Sequence, residues 1–258
     1  MNIFVFDIET VPDVASGKRL YNLDHLSDSE TAQAMFALRR QETGGSDFLR
    51  LHHQRIVAIS AVLRSHDKLK VWSLGDTSSS EAELIKRFFD GIDRYTPSLV
   101  SWNGTGFDLP VLHYRALYHG ISAPRYWDTG EDDPSFKWNN YLNRYHYRHM
   151  DLMDMLSAYQ ARACAPLDEI ATLLGFPGKM GMSGAKVWEY FQQGKVAEIR
   201  HYCETDVLNT YLVYLRCELM RGKLMQEQYQ AECALLRQLL EKEDKPHFTE
   251  FLSLWNNF

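Results

Sequence analysis

The sequence predicts one α/β domain with a helical C-terminal portion. Three observations lead there: a nearly continuous apolar strand opens the chain, a pair of strand-like runs follows, and from Leu167 onward the signals are helical. "NIFVFDIE" (2–9) is rich in β-branched and aromatic residues and the run is ended by Pro12, so it reads as a buried strand. Residues 13 to about 54 form a partly helical insertion: in "SDSETAQAMFALRR" Ser27 and Glu30 fit a capping box, and "TGGS" breaks the helix. "RIVAISAVLR" (55–64) and "KLKVWSL" (68–74), separated by "SHD", pair as a hairpin. "SSEAELIKRFFDGI" is an amphipathic helix with Gly91 near its end. "SLVSWN" (98–103) is a short strand, and "LPVLHYRALYHG" a helix closing at Gly120.

Residues 122–149 carry turn signals and no assignable element. "HMDLMDMLSAYQ" returns to a strand-to-helix pattern, and "LDEIATLLG", "GAKVWEYFQQG" and a long run from Val196 to about Leu240 are helical. "KPHFTEFLSLWNNF" has enough aromatic residues to dock on the body. The expected domain covers 1–215, with 216–258 its C-terminal helix and docked tail.

Composition narrows the function classes. At 45% hydrophobic and 24% charged, the 258 residues have an ordinary globular balance. No apolar run approaches the roughly 20 residues of a membrane span, and no basic-then-apolar leader opens the chain. A cytoplasmic location without membrane contact is expected. Cys164, Cys203, Cys217 and Cys233 show no C-x-x-C spacing, which argues against a zinc site or a disulfide framework. The net charge of −6 argues against a general nucleic-acid coat but allows an enzyme that grips nucleic acid locally.

Asp7 and Glu9, at i and i+2 of the first strand, share one face, while Phe4, Phe6 and Ile8 take the other. Packed carboxylates repel and lose hydration unless a cation compensates them, and oxygen ligands suit Mg²⁺ or Mn²⁺. In "WNGTGFDLPVLHYRAL", Asp108 stands where a helix begins, as a cap or as a ligand, and Asn103, Gly104 and Gly106 make a tight turn. In "RHYCETDVLNTYLVYL", Tyr202 and Asp206 are i and i+4 and share a helix face.

With these motifs the chain resembles DEDD-type 3′–5′ exonucleases of the ribonuclease-H-like fold, close to the exonuclease domain of B-family DNA polymerases. "DIET" is similar to the first exonuclease motif, "NGTGFDLPVL" with Arg115 to the second, and "YCETDVL" to the third. The resemblance implies a mixed sheet flanked by helices, with Asp7, Glu9, Asp108 and Asp206 holding two divalent cations, Mg²⁺ or Mn²⁺. It also implies hydrolysis of single-stranded DNA or RNA from the 3′ end, DNA favoured, by an exonuclease standing alone. An exoribonuclease and a catalytically silent binding module are the alternatives.

The family uses Y-x3-D or H-x4-D to position the attacking water, and here His201 precedes Tyr202, so both spacings occur. Helical geometry favours Tyr202. Thr10, Asn103, Phe107 and Lys179 are the substrate-binding candidates. Phe107 would stack on terminal bases or pack beneath its loop, and Asn103 would bond the terminal nucleotide or close the turn. Lys179 and Lys186 stand in a glycine-rich stretch suited to phosphates. Asp151 reads as a structural or supporting acid. Trp138, Tyr141, Tyr145 and Tyr147, interleaved with basic residues, suit either single-strand stacking or core.

Overall fold

The structure is a computed structural model, described here for residues 2–66 and 68–255; Asp67 of the hairpin turn and residues 256–258 of the terminal segment lie outside the described residues. Its strands are β1 (Asn2–Pro12), β2 (Gln54–Ser65), β3 (Lys68–Ser73), β4 (Ser98–Ser101) and β5 (His149–Asp151). They form one mixed sheet in the order β3-β2-β1-β4-β5, with β1 antiparallel to β2 and parallel to β4. Helices α1 (Val14–Tyr21) and α2 (Asp28–Thr43) fill the insertion, and α3 (Glu81–Tyr95) and α4 (Asp108–His119) flank β4 in sequence. The remainder are α5 (Pro124–Trp127), α6 (Leu152–Leu156), α7 (Leu167–Leu173), α8 (Val187–Gln192), α9 (Val196–Met220), α10 (Gln226–Glu243) and α11 (Pro246–Leu254). Among the described residues no helix is long and apolar enough to cross a membrane.

The alternation of β1 sorts the molecule into two layers. Phe4, Phe6 and Ile8 pack with Phe88 and Ile92 of α3 and with Leu109 and Leu112 of α4. Burying rings such as Phe6 and Phe88 contributes about 1.5–3 kcal/mol each. Ile3 and Val5 pack instead with Val207, Leu208 and Tyr211 of α9, and that core continues to Leu236, Phe248 and Trp255. Asp7 and Glu9 continue the odd-numbered set, so the sheet aims them at α9 rather than at α4. Just past them the β1–β2 register shifts: Glu9 faces Ala58 and Thr10 faces Ile56, leaving Val57 as an extra residue.

The capping box of α2 forms, with the Ser27 N–H donating to Glu30 Oε2 at 2.9 Å, and Gly44 closes the helix at φ +75°. One expectation needs correction. The helical run from Val196 is two helices, because Gly222 at φ +67° turns the chain and lets α10 fold back to bury Leu236 and Leu240. Gly91 lies near the end of α3 as expected, and the helix runs on to Tyr95 and stops at Thr96 in the left-handed region. Tyr141 is core: it stacks on Tyr126 with centroids 5.5 Å apart and donates to the Pro97 carbonyl, whereas Trp138, Tyr145 and Tyr147 are exposed.

Glu204 locks the C-terminal helices to the sheet. Its carboxylate accepts the Ser73 N–H at 2.9 Å and faces His247 Nε2 at 2.8 Å. Burial raises its pKa, but the bonds to His247 and Ser73 and the Lys245 charge outweigh that and bring it down to about 2. A depressed carboxylate adds stability above its unfolded pKa and loses it as pH falls through the folded value. Wild type is therefore expected to lose about 2–3 kcal/mol between roughly pH 4.5 and pH 2 that Glu204→Gln lacks. Urea unfolding against pH reads this; parallel curves for the two proteins would refute it.

Candidate active site

Three distant segments meet at the end of β1. Glu9 and Asp108 are almost wholly buried, at 8% and 3% exposure, while Asp7 and Asp206 are half-buried. β4 stops at Ser101, and beyond it the Asp108 carboxylate accepts the Ile8 N–H at 3.2 Å. Asp108 is thus the first residue of α4 rather than its cap, a position taken by Phe107 without any side-chain hydrogen bond. From the other layer α9 brings Cys203, whose thiol donates to the Asp7 main-chain and carboxylate oxygens at 3.4 Å.

The loop between β4 and α4 is held from below. Asp151 accepts the Asn103 and Thr105 N–H groups, each at 2.9 Å, while capping α6 through the Met153 N–H. Asn103 sits at φ +61°, and its carbonyl accepts from Gly106 and Phe107. A Cβ on Gly104 would run into the side chain of Ser101, which is buried and bonded to His149 Nε2 at 2.7 Å. The second motif needs its first glycine for that close approach.

The electrostatics are those of uncompensated acids. Loss of hydration, then the charges of Asp108 and Asp206, push Asp7 well above the usual carboxylate range. Glu9 rises for the same first reason, then through Asp7. Asp108 and Asp206 are also raised by burial, opposed by main-chain N–H groups at Asp108 and by the Tyr202 hydroxyl and Lys179 at Asp206. Among the described residues no Lys, Arg or His forms an ion pair with any of the four. A divalent cation fits such a donor set: all carboxylate, mutually repelling and without an ion-paired base among the described residues. Oxygen atoms of Asp7 and Glu9 and the Cys203 sulfur lie within 4.8 Å of one another. Burial, and then Asp7 and Glu9, hold Cys203 as a thiol, so it acts as a donor to Asp7.

Tyr202 is buried and its hydroxyl donates to Asp206; burial and the neighbouring acids keep the phenol protonated. His201 faces outward and stacks on His247, with ring centroids 4.1 Å apart. The Lys179 charge is felt at Asp206, while its main-chain N–H is bound to Asp168 at 2.7 Å. The Thr10 hydroxyl is spent on Gln54 Oε1 at 3.0 Å, and Phe107 lies half-buried against the core and within 5.6 Å of the Phe48 ring. Sequence reading missed Cys203, whose one signal is its i+3 spacing from Asp206. It also missed the work of Arg115, whose guanidinium is buried between Asp13 at 2.5 Å and Glu81 at 2.5 and 2.8 Å. That network ties α4, and with it Asp108, to the end of β1 and the start of α3.

Residues 46–255 match the family described as "Predicted 3'-5' exonuclease related to the exonuclease domain of PolB", a span that includes Asp108 and Asp206 and leaves out β1. A stretch of 42 residues is 52% identical to a protein named DNA polymerase 1 from Sulfurisphaera ohwakuensis, covering 16% of this chain and 5% of that polymerase. The chain therefore spans only a small fraction of that relative's length. With the family match covering β2 to β5, α4 and α9, the protein belongs to the predicted 3′–5′ exonucleases related to the exonuclease domain of PolB.

Proposed function

We propose that the protein is a metal-dependent exonuclease that removes nucleotides from the 3′ end of single-stranded nucleic acid, with DNA the favoured substrate. One observation carries the reading: Asp7, Glu9, Asp108 and Asp206 converge from three segments with no basic side chain paired to them among the described residues. Two divalent cations, Mg²⁺ or Mn²⁺, held by these four, would supply the Lewis acidity that activates water and offsets charge on the phosphate. The protein's own share is positional. Glu9 and Asp7 are fixed by β1, Asp108 by its bond to Ile8, and Asp206 by Tyr202. A phenol held protonated is no base at neutral pH, so the Tyr202 hydroxyl aims the attacking water and steadies Asp206. The preference for DNA rests on the polymerase relationship of the family.

The test is a time course on 3′- and 5′-labelled single-stranded DNA and RNA with Mg²⁺, Mn²⁺ or EDTA. Mononucleotides should leave from the 3′ end only with a cation present. Binding without cleavage in every arm would leave a silent binding module, and cleavage confined to RNA an exoribonuclease. Within an active protein, Tyr202→Phe should lower kcat about 10²-fold, the cost of a misplaced reactant, while His201→Ala stays near wild type. The reverse ranking would move the positioning role to His201.

A further inference from the structure

The insertion between β1 and β2 touches the cleft beside the acids. A cavity of about 540 Å³ opens next to Glu9 and Thr10 and is also lined by Phe48, Leu49, Phe107 and Trp188. Phe48 and Leu49 come from the end of the insertion, and α1 and α2 lie outside the matched family span. We propose that this insertion is a wall of the substrate cleft, and that the Phe48 ring, beside that of Phe107, stacks on the base of the strand's 3′-terminal nucleotide. The proposal rests on the exonuclease reading and adds a substrate-binding residue to it.

The chemistry of the cavity selects its occupant. Its charged lining residues are all acids, Glu9, Asp47 and Glu189. Such a lining repels phosphate and suits an uncharged flat group, while the phosphodiester would remain on the side of the four carboxylates. Phe48 is 56% exposed, so a large apolar ring stands in water although its neighbour Leu49 is 3% exposed and firmly seated. Covering that ring with a base removes apolar area from water, and a base offers a π-face whatever its identity.

The ring is also held ready. The Thr10 hydroxyl donates to Gln54 Oε1, and the Gln54 amide donates to the Leu49 carbonyl at 3.3 Å. Arg39 Nε of α2 donates to the Phe48 carbonyl at 2.9 Å. The residue beside Glu9 is thereby wired through Gln54 to the main chain that carries Phe48, and α2 holds the same main chain from behind. Phe48 and Phe107 centroids lie 5.6 Å apart at 52°, an open angle rather than a closed stack. The half-buried Trp188 also lines the cavity, and its fluorescence would report occupancy.

The experiment measures binding of the full chain, in EDTA, to a short 5′-fluorescein oligothymidylate and to the same strand lacking its 3′-terminal base. Phe48→Ala should weaken binding of the intact strand about 5- to 150-fold, the range for losing one base–aromatic stack. Removing the terminal base should weaken wild type by a similar factor and leave Phe48→Ala nearly unaffected, since each change deletes one side of the same contact. Phe48→Trp should restore affinity and the response to the base, and an unchanged melting temperature will show that the exposed site left the fold intact. If Phe48→Ala binds like wild type, or both proteins respond equally to base removal, the inference is overturned while the exonuclease reading stands. A wild type that fails to cleave with Mg²⁺ or Mn²⁺ sinks that reading instead, and the binding comparison in EDTA still decides the role of Phe48.

Discussion

Asp7→Asn should abolish metal-dependent cleavage and, in EDTA, make the protein more stable than wild type. Asp7 is half-buried and faces the charges of Asp108 and Asp206, which together with lost hydration raise its pKa far above the usual range. The sign follows from linkage: a carboxyl whose folded pKa is raised costs stability as pH climbs from its unfolded value toward the folded one. At neutral pH the cost is in place, and an amide of the same shape removes it. A higher melting temperature in EDTA is therefore expected, about 2–4 °C for each kcal/mol gained. Activity should fall at least about 10³-fold, roughly 4 kcal/mol of transition-state stabilisation. Added Mg²⁺ or Mn²⁺ should raise the melting temperature of wild type and not that of Asp7→Asn. A variant less stable than wild type in EDTA would show that Asp7 is satisfied inside the protein and needs no cation.

The second large effect is on folding. Arg115 is 4% exposed and forks between Asp13 and Glu81, and Glu81 also accepts the Ile56 N–H at 2.7 Å. Burial raises the Asp13 pKa, but the Ser16 and Arg115 bonds outweigh it and bring the carboxyl below its usual value; without the guanidinium, among the described residues Asp13 would keep only Ser16, and Glu81 only the Ile56 N–H and His119, as partners for buried carboxyl groups. Arg115→Leu is expected to cost about 3–5 kcal/mol, or about 6–20 °C in melting temperature. Arg115→Lys should recover little, because an ammonium cannot bridge two carboxylates in the fork geometry. Thermal melts of the two variants check this, and a loss below about 1 kcal/mol for Arg115→Leu would mean that the network relaxes into solvent.

Much of the architecture was legible because it is written locally. A nearly continuous run of β-branched and aromatic residues in 2–9 marked β1, and the i, i+2 spacing the shared face of Asp7 and Glu9. Ser27 with Glu30 gave the start of α2, and Gly120 the end of α4. What stayed hidden depends on partners far away in sequence. Nothing near Glu204 says that Ser73 and His247 will meet it, nothing near Arg115 names Asp13 and Glu81, and Gly222 looks no more decisive than Gly91 although only Gly222 turns the chain. At the site, alternation and helical spacing put Asp7 beside Glu9 and Tyr202 beside Asp206. That the two pairs face each other follows only from α9 packing against the odd-numbered side of β1.

That arrangement has a consequence for a chain emerging from the ribosome. Asp7 is made 196 positions before its contact Cys203, which lies on the helix that also carries Asp206. No nascent piece that stops before α9 holds more than three of the four carboxylates, and Tyr202 is missing from all of them. β1 must wait with its odd-numbered face uncovered until that helix docks, and closing so long a loop is among the later events of folding. A protein built in this order completes its cluster of four acids at the same moment as its core, and shorter products of interrupted synthesis lack both.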